Sequence, residues 1–369
     1  MDISGVNDRI KKELAKERDS NIDYRTYLKK LLKLCRDSIS DLSDVSFRND
    51  LPQGTNRKVL NKEILNSTNA LLKAYNSYSD GKLSSAITII RNRFLTPDAI
   101  QTFELTHEQN WYRARKTDNS GSGLKAKEMF HIPFEKRTDV VNYRFSISGY
   151  PCLYIGNSLL TCWEEMHCPQ IHGFVVSKVS IKEQKVMRVL DLRLPEDSKE
   201  EISDTERRQR NLMLLKTWPL IIACSIKTLT PNSSFKFEYI HPQLLMLAIK
   251  EQNQDLYGVA YTSSHVDSTM TTDISFYTNV AIPVRKAETK GYCKYLSSLF
   301  EITRGVSFME ADLKNVFDLT GTLKLDNLTG SLTMETFVNG SAPYNKTKFG
   351  QLEHFLDFVA LETIIDNNC

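Results

Sequence analysis

The chain has 369 residues, 41% of them hydrophobic and 25% charged, with a formal net charge of +3. That length buries a sizeable core and fits two or three domains of ordinary globular composition. The small positive charge leaves no footprint for nucleic acid, and no apolar run approaches membrane-spanning length, so neither partner is expected.

The polar start, MDISGVNDRIKKELAKERD, lacks the apolar stretch of a signal peptide. Through about Phe94 the pattern is helical. Residues 6–18 are strongly charged, Tyr27-Leu28, Leu31-Leu32 and Leu34-Cys35 recur at helical spacing, Leu60–Tyr78 continues it, and Ser84–Leu95 ends at Thr96-Pro97. None of the seven histidines follows an arginine with four to six residues in between, so the helical part has no RNase motif and reads as scaffold or partner surface. Trp111–Arg115 is strand-like, and a Ser/Gly-rich loop follows over Lys116–Lys127, with Gly121 and Gly123.

Asn142–Ser148 alternates polar and bulky residues before the turn Gly149-Tyr150-Pro151. Cys152–Ile155 predicts a buried strand ending at Gly156. A helix follows, capped by Asn157, with Leu159, Leu160, Trp163 and Met166 at spacings of three and four. Glu164 and Glu165 lie inside that apolar pattern, where desolvation would raise a carboxylate's pKa; a solvated helix edge is the plainer alternative. Phe174–Ile181 and Val186–Leu192 predict a hairpin, Glu196–Arg210 a charged lead into the helix Asn211–Cys224, and Phe235–Tyr239 an extended segment. A helix from His241 to about Gln252, a strand Gly258–Thr262 and a strand Phe276–Val284 come next. Tyr292–Phe300 closes the sheet domain, Leu313–Phe337 suggests short hairpins, and Phe349–Ile364 an amphipathic helix. Strands mixed irregularly with helices predict an α+β fold in three segments: a helical domain at 1–98, a sheet domain at 105–300 and an extension at 301–369.

The seven cysteines, Cys35, Cys152, Cys162, Cys168, Cys224, Cys293 and Cys369, are scattered and odd in number, as for reduced thiols in a cytoplasmic protein. Cys162, His167, Cys168 and His172 lie close in sequence. No second ligand pair follows at zinc spacing, so no metal site is expected. The usual phosphate-loop, dinucleotide, zinc-protease and nucleophile-elbow motifs are absent. What remains is Arg113, Arg144, Glu165 and Ser263. These are planar cations suited to a pyrophosphate, a carboxylate able to stabilise an oxocarbenium-like sugar, and a hydroxyl able to hold a ribose. Surface arginines, a solvated glutamate and a strand-end serine are the plainer readings of the same residues.

The order WYRAR, NYRFSISGYPCLYIGNSLLTCWEEMH, FEYIHPQLL, GVAYTSS and YTNVAIPV resembles the RES domain, named for its Arg, Glu and Ser, over roughly Trp111 to Lys286. The resemblance implies a mixed sheet like that of ADP-ribosyltransferases, and a toxin that cleaves the nicotinamide–ribose bond of NAD by hydrolysis or, with inorganic phosphate as co-substrate, by phosphorolysis. By the same resemblance NAD is a substrate and not a bound cofactor. An antitoxin or other regulatory partner, an infection-linked trigger of the kind found in phage defence, and self-association are the interactions to expect.

Carried over singly, the family arginine falls on Arg113, the second basic residue on Arg144 (here followed by Phe145-Ser146), the glutamate on Glu165 with Glu164 as fallback, and the serine on Ser263 before Ser264. Asn279 matches an asparagine near the family site, and Tyr112 and Tyr154 are candidates to stack on nicotinamide or adenine. In the implied mechanism Arg113 and Arg144 neutralise the pyrophosphate, Ser263 positions the ribose and Glu165 stabilises its developing positive charge. Transfer of ADP-ribose to a macromolecule, and a non-enzymatic interaction protein on the same fold, are the alternatives.

Overall fold

A computed structural model of the chain describes residues 1–96, 101–117, 123–170, 173–195, 202–251, 256–263, 274–308, 310 and 344–364. Helices α1 (Ile3–Leu14), α2 (Tyr24–Ser40), α3 (Asp44–Asp50), α4 (Arg57–Ser79) and α5 (Leu83–Phe94) precede the first strand. Then come β1 (Thr102–Leu105), β2 (Trp111–Lys116), α6 (Ala126–Met129), β3 (Cys152–Gly156), α7 (Leu159–Glu165), β4 (Phe174–Ile181) and β5 (Met187–Leu192). Two longer helices, α8 (Asp204–Ser225) and α9 (Ile240–Glu251), lead to β6 (Leu256–Thr262) and β7 (Thr278–Pro283). The described chain ends with α10 (Lys294–Ser297), β8 (Phe300–Thr303), β9 (Val306–Ser307), α11 (Lys348–Leu356) and β10 (Leu361–Thr363). The fold class is mixed α+β.

Two compact units divide the chain: 1–103 with 141–148 and 188–269, and 104–140 with 149–187 and 270–369. The units interleave in sequence, where three consecutive segments were expected.

The first unit is mainly helical. Side-chain caps open its helices: Asp2, Asp23, Ser43, Asn56 and Ser203 each accept a backbone N–H from the first turn they precede. Buried residues then recur at helical spacing, as in Ile3, Val6, Ile10 and Leu14 of α1. Trp218 of α8 is fully buried and donates its indole N–H to Asn7 Oδ1 at 2.9 Å, so a polar group of α1 satisfies the ring it covers. Glu238, also buried, pairs with Arg18 at 2.9 Å. His241 is sealed in α9 between Leu71 O, 3.0 Å from Nε2, and the Tyr24 hydroxyl, 3.4 Å from Nδ1. The carbonyl can only accept, so Nε2 carries the proton and Nδ1 accepts from Tyr24. β5 and β6 pair in parallel.

The second unit is an antiparallel sheet in the order β7-β3-β2-β4-β8-β10, with β9 also against β4. One of its faces is closed by α7 and α11. Tyr112, Leu159, Cys162, Phe174, Val176, Val306, Leu352 and Leu356 form one apolar cluster there. On the other face Phe130, His131, Phe134, Tyr292 and Phe300 make an aromatic group, with His131 Nε2 accepting the Cys293 N–H at 2.9 Å.

Several expectations need correction. β4 and β5 form no hairpin: β4 lies between β2 and β8, whereas β5 takes β6 as its partner. Asn142–Ser148 is a turn closed by a Tyr143–Ser146 bridge. α8 begins at Asp204, seven residues before Asn211, because Ser203 and Glu206 form a capping box. Phe237–Tyr239 is a 3-10 turn running into α9 instead of an extended segment. The terminal amphipathic segment splits into α11 and β10, which pairs with β8. The hairpins expected at 313–337 lie outside the described residues.

Burial holds the His241 pKa down to about 4 from 6.5. The unfolded chain therefore binds the extra proton between those values, and stability is lost as the pH falls from 6.5 towards 4. A shift of that size corresponds to up to about 3 kcal/mol. Urea denaturation across that range is expected to show a steeper acid loss in the wild type than in His241→Gln; parallel curves would contradict the assignment.

Candidate functional site

The local sequence Gly156-Asn157-Ser158 turns β3 into α7. Ser158 is the N-cap, accepting from Thr161 N at 3.0 Å, and not Asn157. Asn157 instead ties the turn to β7, exchanging hydrogen bonds with the Thr278 backbone: its Oδ1 accepts from Thr278 N at 3.0 Å and its N–H donates to Thr278 O at 2.9 Å. β3 is thereby fixed to β7 in the register Gly156 opposite Asn279. Tyr112 of β2 pairs with the same glycine, so Tyr112, Gly156 and Asn279 form one row on one face of the sheet. A Cβ on Gly156 would sit 3.0 Å from Cys162 Sγ and 3.3 Å from Asn279 Oδ1, so any side chain there would push on the helix and the asparagine by a few tenths of an ångström.

Across that gap Asn279, buried in β7, donates its side-chain amide to Glu165 Oε1 at 2.8 Å. The resemblance-derived pair Glu165 and Asn279 is thus in direct contact. Glu164, the fallback, is half-buried, and its Oε2 is buried without a hydrogen-bond partner. Burial first, and the Glu165 charge second, push its pKa up to about 7. Directly after the pair, His167 and Cys168 take left-handed backbone angles (φ 60° and 49°), and their N–H groups close the helix on Glu164 O and Trp163 O.

Arg113 reaches the same place from the other side. Alternation along β2 sends Tyr112 and Ala114 to the α7 face and Arg113 and Arg115 to the opposite one. Among the described residues β2 and β3 are paired only at Tyr112 and Gly156. Beyond that pair the Arg113 guanidinium crosses between the strands and donates to Tyr154 O at 2.8 Å. Tyr154 and Gly156 are two residues apart on β3, about 7 Å. Arg113 and the Glu165–Asn279 pair therefore converge on one short length of β3, where two strands part. The half-buried Tyr154 shares the face of Gly156.

Two other expected site residues are held in packing and capping roles. Tyr112 is no stacking platform: its ring is buried in the apolar cluster against Leu159 and Cys162, and burial raises its hydroxyl pKa. Arg144 is no pyrophosphate ligand: it is buried in the first unit, donates to Cys224 O and Ile226 O at 3.0 Å each, and lies over the Tyr239 ring. The carbonyls closing α8 carry the negative end of that helix, and the guanidinium caps them. Ser263 is buried at the end of β6 in the first unit, and Ser264 is outside the described residues. No group of three His, Cys, Asp or Glu suited to a metal occurs among the described residues. Cys162 is buried and donates to Tyr112 O, Cys168 is exposed, and His172 is not described. No described helix is long and apolar enough to cross a membrane.

No family model and no solved structure matches the chain, so the RES likeness stays a resemblance. The chain is similar to the "Putative toxin YopC" of Bacillus subtilis (strain 168), 34% identical over 237 residues. The alignment covers 62% of this chain and 52% of that protein, so the chain spans about half the length of the curated relative it matches.

The raised Glu164 pKa has a consequence for stability. The folded chain keeps the proton up to about pH 7, whereas the unfolded carboxyl releases it near 4.5. Between those values the folded state binds more protons, so stability falls as the pH rises. Glu164→Gln removes this loss. Discounted for partial exposure, the variant is expected to exceed the wild type by about 1 kcal/mol at pH 8 and to match it near pH 4.5 in urea denaturation. An equal difference at both pH values would show that Glu164 is not the group responsible.

Proposed function

We propose that the chain is a toxin-like enzyme that cleaves the nicotinamide–ribose bond of NAD at the place where β2 and β3 part. The observation that carries this reading is the Glu165 carboxylate fixed by the buried Asn279 within two residues of the strand position that Arg113 occupies. A held carboxylate and a planar cation that reach the same short length of β3 from its two faces suit a substrate whose sugar becomes positive next to a pyrophosphate. The 34% identity to the protein named "Putative toxin YopC" supports the biological half of the reading. Confinement by an antitoxin is part of the same proposal.

In the proposed reaction Arg113 exchanges its bond to Tyr154 O for a pyrophosphate oxygen. The C1′–N bond breaks with its electron pair passing to the pyridine nitrogen, and neutral nicotinamide leaves. Glu165 stabilises the resulting charge on the ribose. Water adds to C1′ and loses its proton to solvent, or phosphate adds in its place. Asn279 keeps the carboxylate in one rotamer, so little reorganisation is needed as charge develops.

Purified protein incubated with NAD, with and without phosphate, is expected to release nicotinamide. Chromatography of the second product separates hydrolysis, which gives ADP-ribose, from phosphorolysis, which gives its phosphorylated form; label appearing on a macromolecule would indicate transfer instead. Glu165→Gln is expected to lower turnover by roughly a hundredfold or more with NAD binding kept. Arg113→Ala is expected to weaken NAD affinity roughly tenfold. Intact turnover in Glu165→Gln would refute the assignment.

A further inference from the structure

α7 has only seven residues, too few to be stable on its own, yet it ends in Glu165. Of the first-turn donors of this helix, Ser158 takes Thr161 N. The first helical N–H, that of Leu159, goes to a residue nearly two hundred positions away: Glu353 Oε1 of α11, at 2.6 Å. The same oxygen accepts the Tyr344 hydroxyl at 2.6 Å. Tyr344 lies edge-on to Phe276, whose carbonyl accepts from Thr161 Oγ1 at 2.9 Å. Farther along, Trp163 of α7 packs on Phe349 of α11 with ring centroids 5.6 Å apart, and Leu352 and Leu356 enter the cluster with Leu159 and Cys162. The segment then leaves as β10 and is pinned to β8.

We infer that the segment from Tyr344 to Thr363 is a strap that sets α7 in place, with Glu353 as the positioning residue for Glu165. A carboxylate on the first-turn N–H meets the positive end of the helix and satisfies a donor that the local sequence leaves open. The aromatic and leucine contacts fix how the helix lies on the sheet, and Asn279 then meets Glu165 at its far end. Glu353 is outside the Trp111–Lys286 stretch that carries the RES resemblance. The activity arm of the test rests on the NAD reading above; the structural arm does not.

The test is amide hydrogen exchange, read on peptides covering residues 157–166, in the wild type, Glu353→Ala and Glu353→Gln. In Glu353→Ala exchange in α7 is expected to rise roughly tenfold, with β3, β4 and α9 unchanged, since one first-turn hydrogen bond is lost. Glu353→Gln keeps an accepting oxygen but not the charge and is expected to restore most of the protection. NAD turnover per folded molecule is expected to follow the same order, with KM nearly constant. Unchanged α7 exchange in Glu353→Ala, or an equal rise over the whole unit, would overturn the proposal. Should Glu353→Ala not fold, Tyr344→Phe removes one donor to the carboxylate and leaves the ring on Phe276; a smaller rise confined to α7 supports the strap, and no rise refutes it. A wild type without NAD consumption would sink the proposed reaction, while the exchange data would still decide the role of Glu353.

Discussion

The hydrogen bond from Asn279 to Glu165 is the contact on which the rest of the candidate site depends, and it is made over a strand position, Gly156, where a side chain would crowd Cys162 and Asn279. Gly156 stands between Tyr112 and Asn279 in one row of the sheet, and its bare backbone lets Cys162 and the asparagine amide close over it. A buried amide needs a partner, and a carboxylate at a helix end is a strong one. The pairing therefore satisfies Asn279 and orients Glu165 together. The glycine that terminates β3, the turn tied down by Asn157 and the short helix are parts of one device.

Two adjacent glutamates meet opposite environments within this device. Glu165 has the Asn279 amide; Glu164 has buried surroundings and an oxygen with no partner, and its pKa rises to about 7. Neighbouring carboxyls whose surroundings differ in this way take on different chemical duties. Glu165 is held in one orientation by that amide. Glu164 keeps its proton towards neutrality because burial disfavours its charge, and the left-handed residues His167 and Cys168 fix the backbone immediately after it.

Much of this was legible in the sequence because it is local. The strand-like segment at Trp111–Arg115, the apolar run ending at Gly156, the helix bearing the two glutamates and the choice of Asn279 as a candidate all follow from short patterns or from the resemblance, whereas the Asn279–Glu165 contact does not. What was not legible is pairing over distance. Nothing in Phe174–Ile181 and Met187–Leu192 tells that these neighbours in sequence take different partners, since both read as apolar strands joined by a turn. Tyr112 is hard to place for a related reason: a residue next to Arg113 on β2 points to the opposite face of the strand, here into the core. Glu353 gave no signal, being one more glutamate on an amphipathic stretch.

Arg144 and Glu353 show why caps and ligand-binding residues are hard to separate. The end of a helix presents unpaired carbonyls with a partial negative charge, and its start presents unpaired N–H groups with a partial positive one. A guanidinium that converges on Cys224 O and Ile226 O uses the same donors, at the same distances, as one that binds a phosphate. Sequence records the residue type and not the acceptor. Arg113 differs in that its acceptor, Tyr154 O, is a strand carbonyl at a point where the β2–β3 pairing has already ended. A cation that bridges two parting strands takes the place of a ladder hydrogen bond that the strands no longer make. A cation that caps α8 holds a helix end that folding requires. The same residue type thus serves the candidate site in one place and the scaffold in the other, and the acceptor decides which.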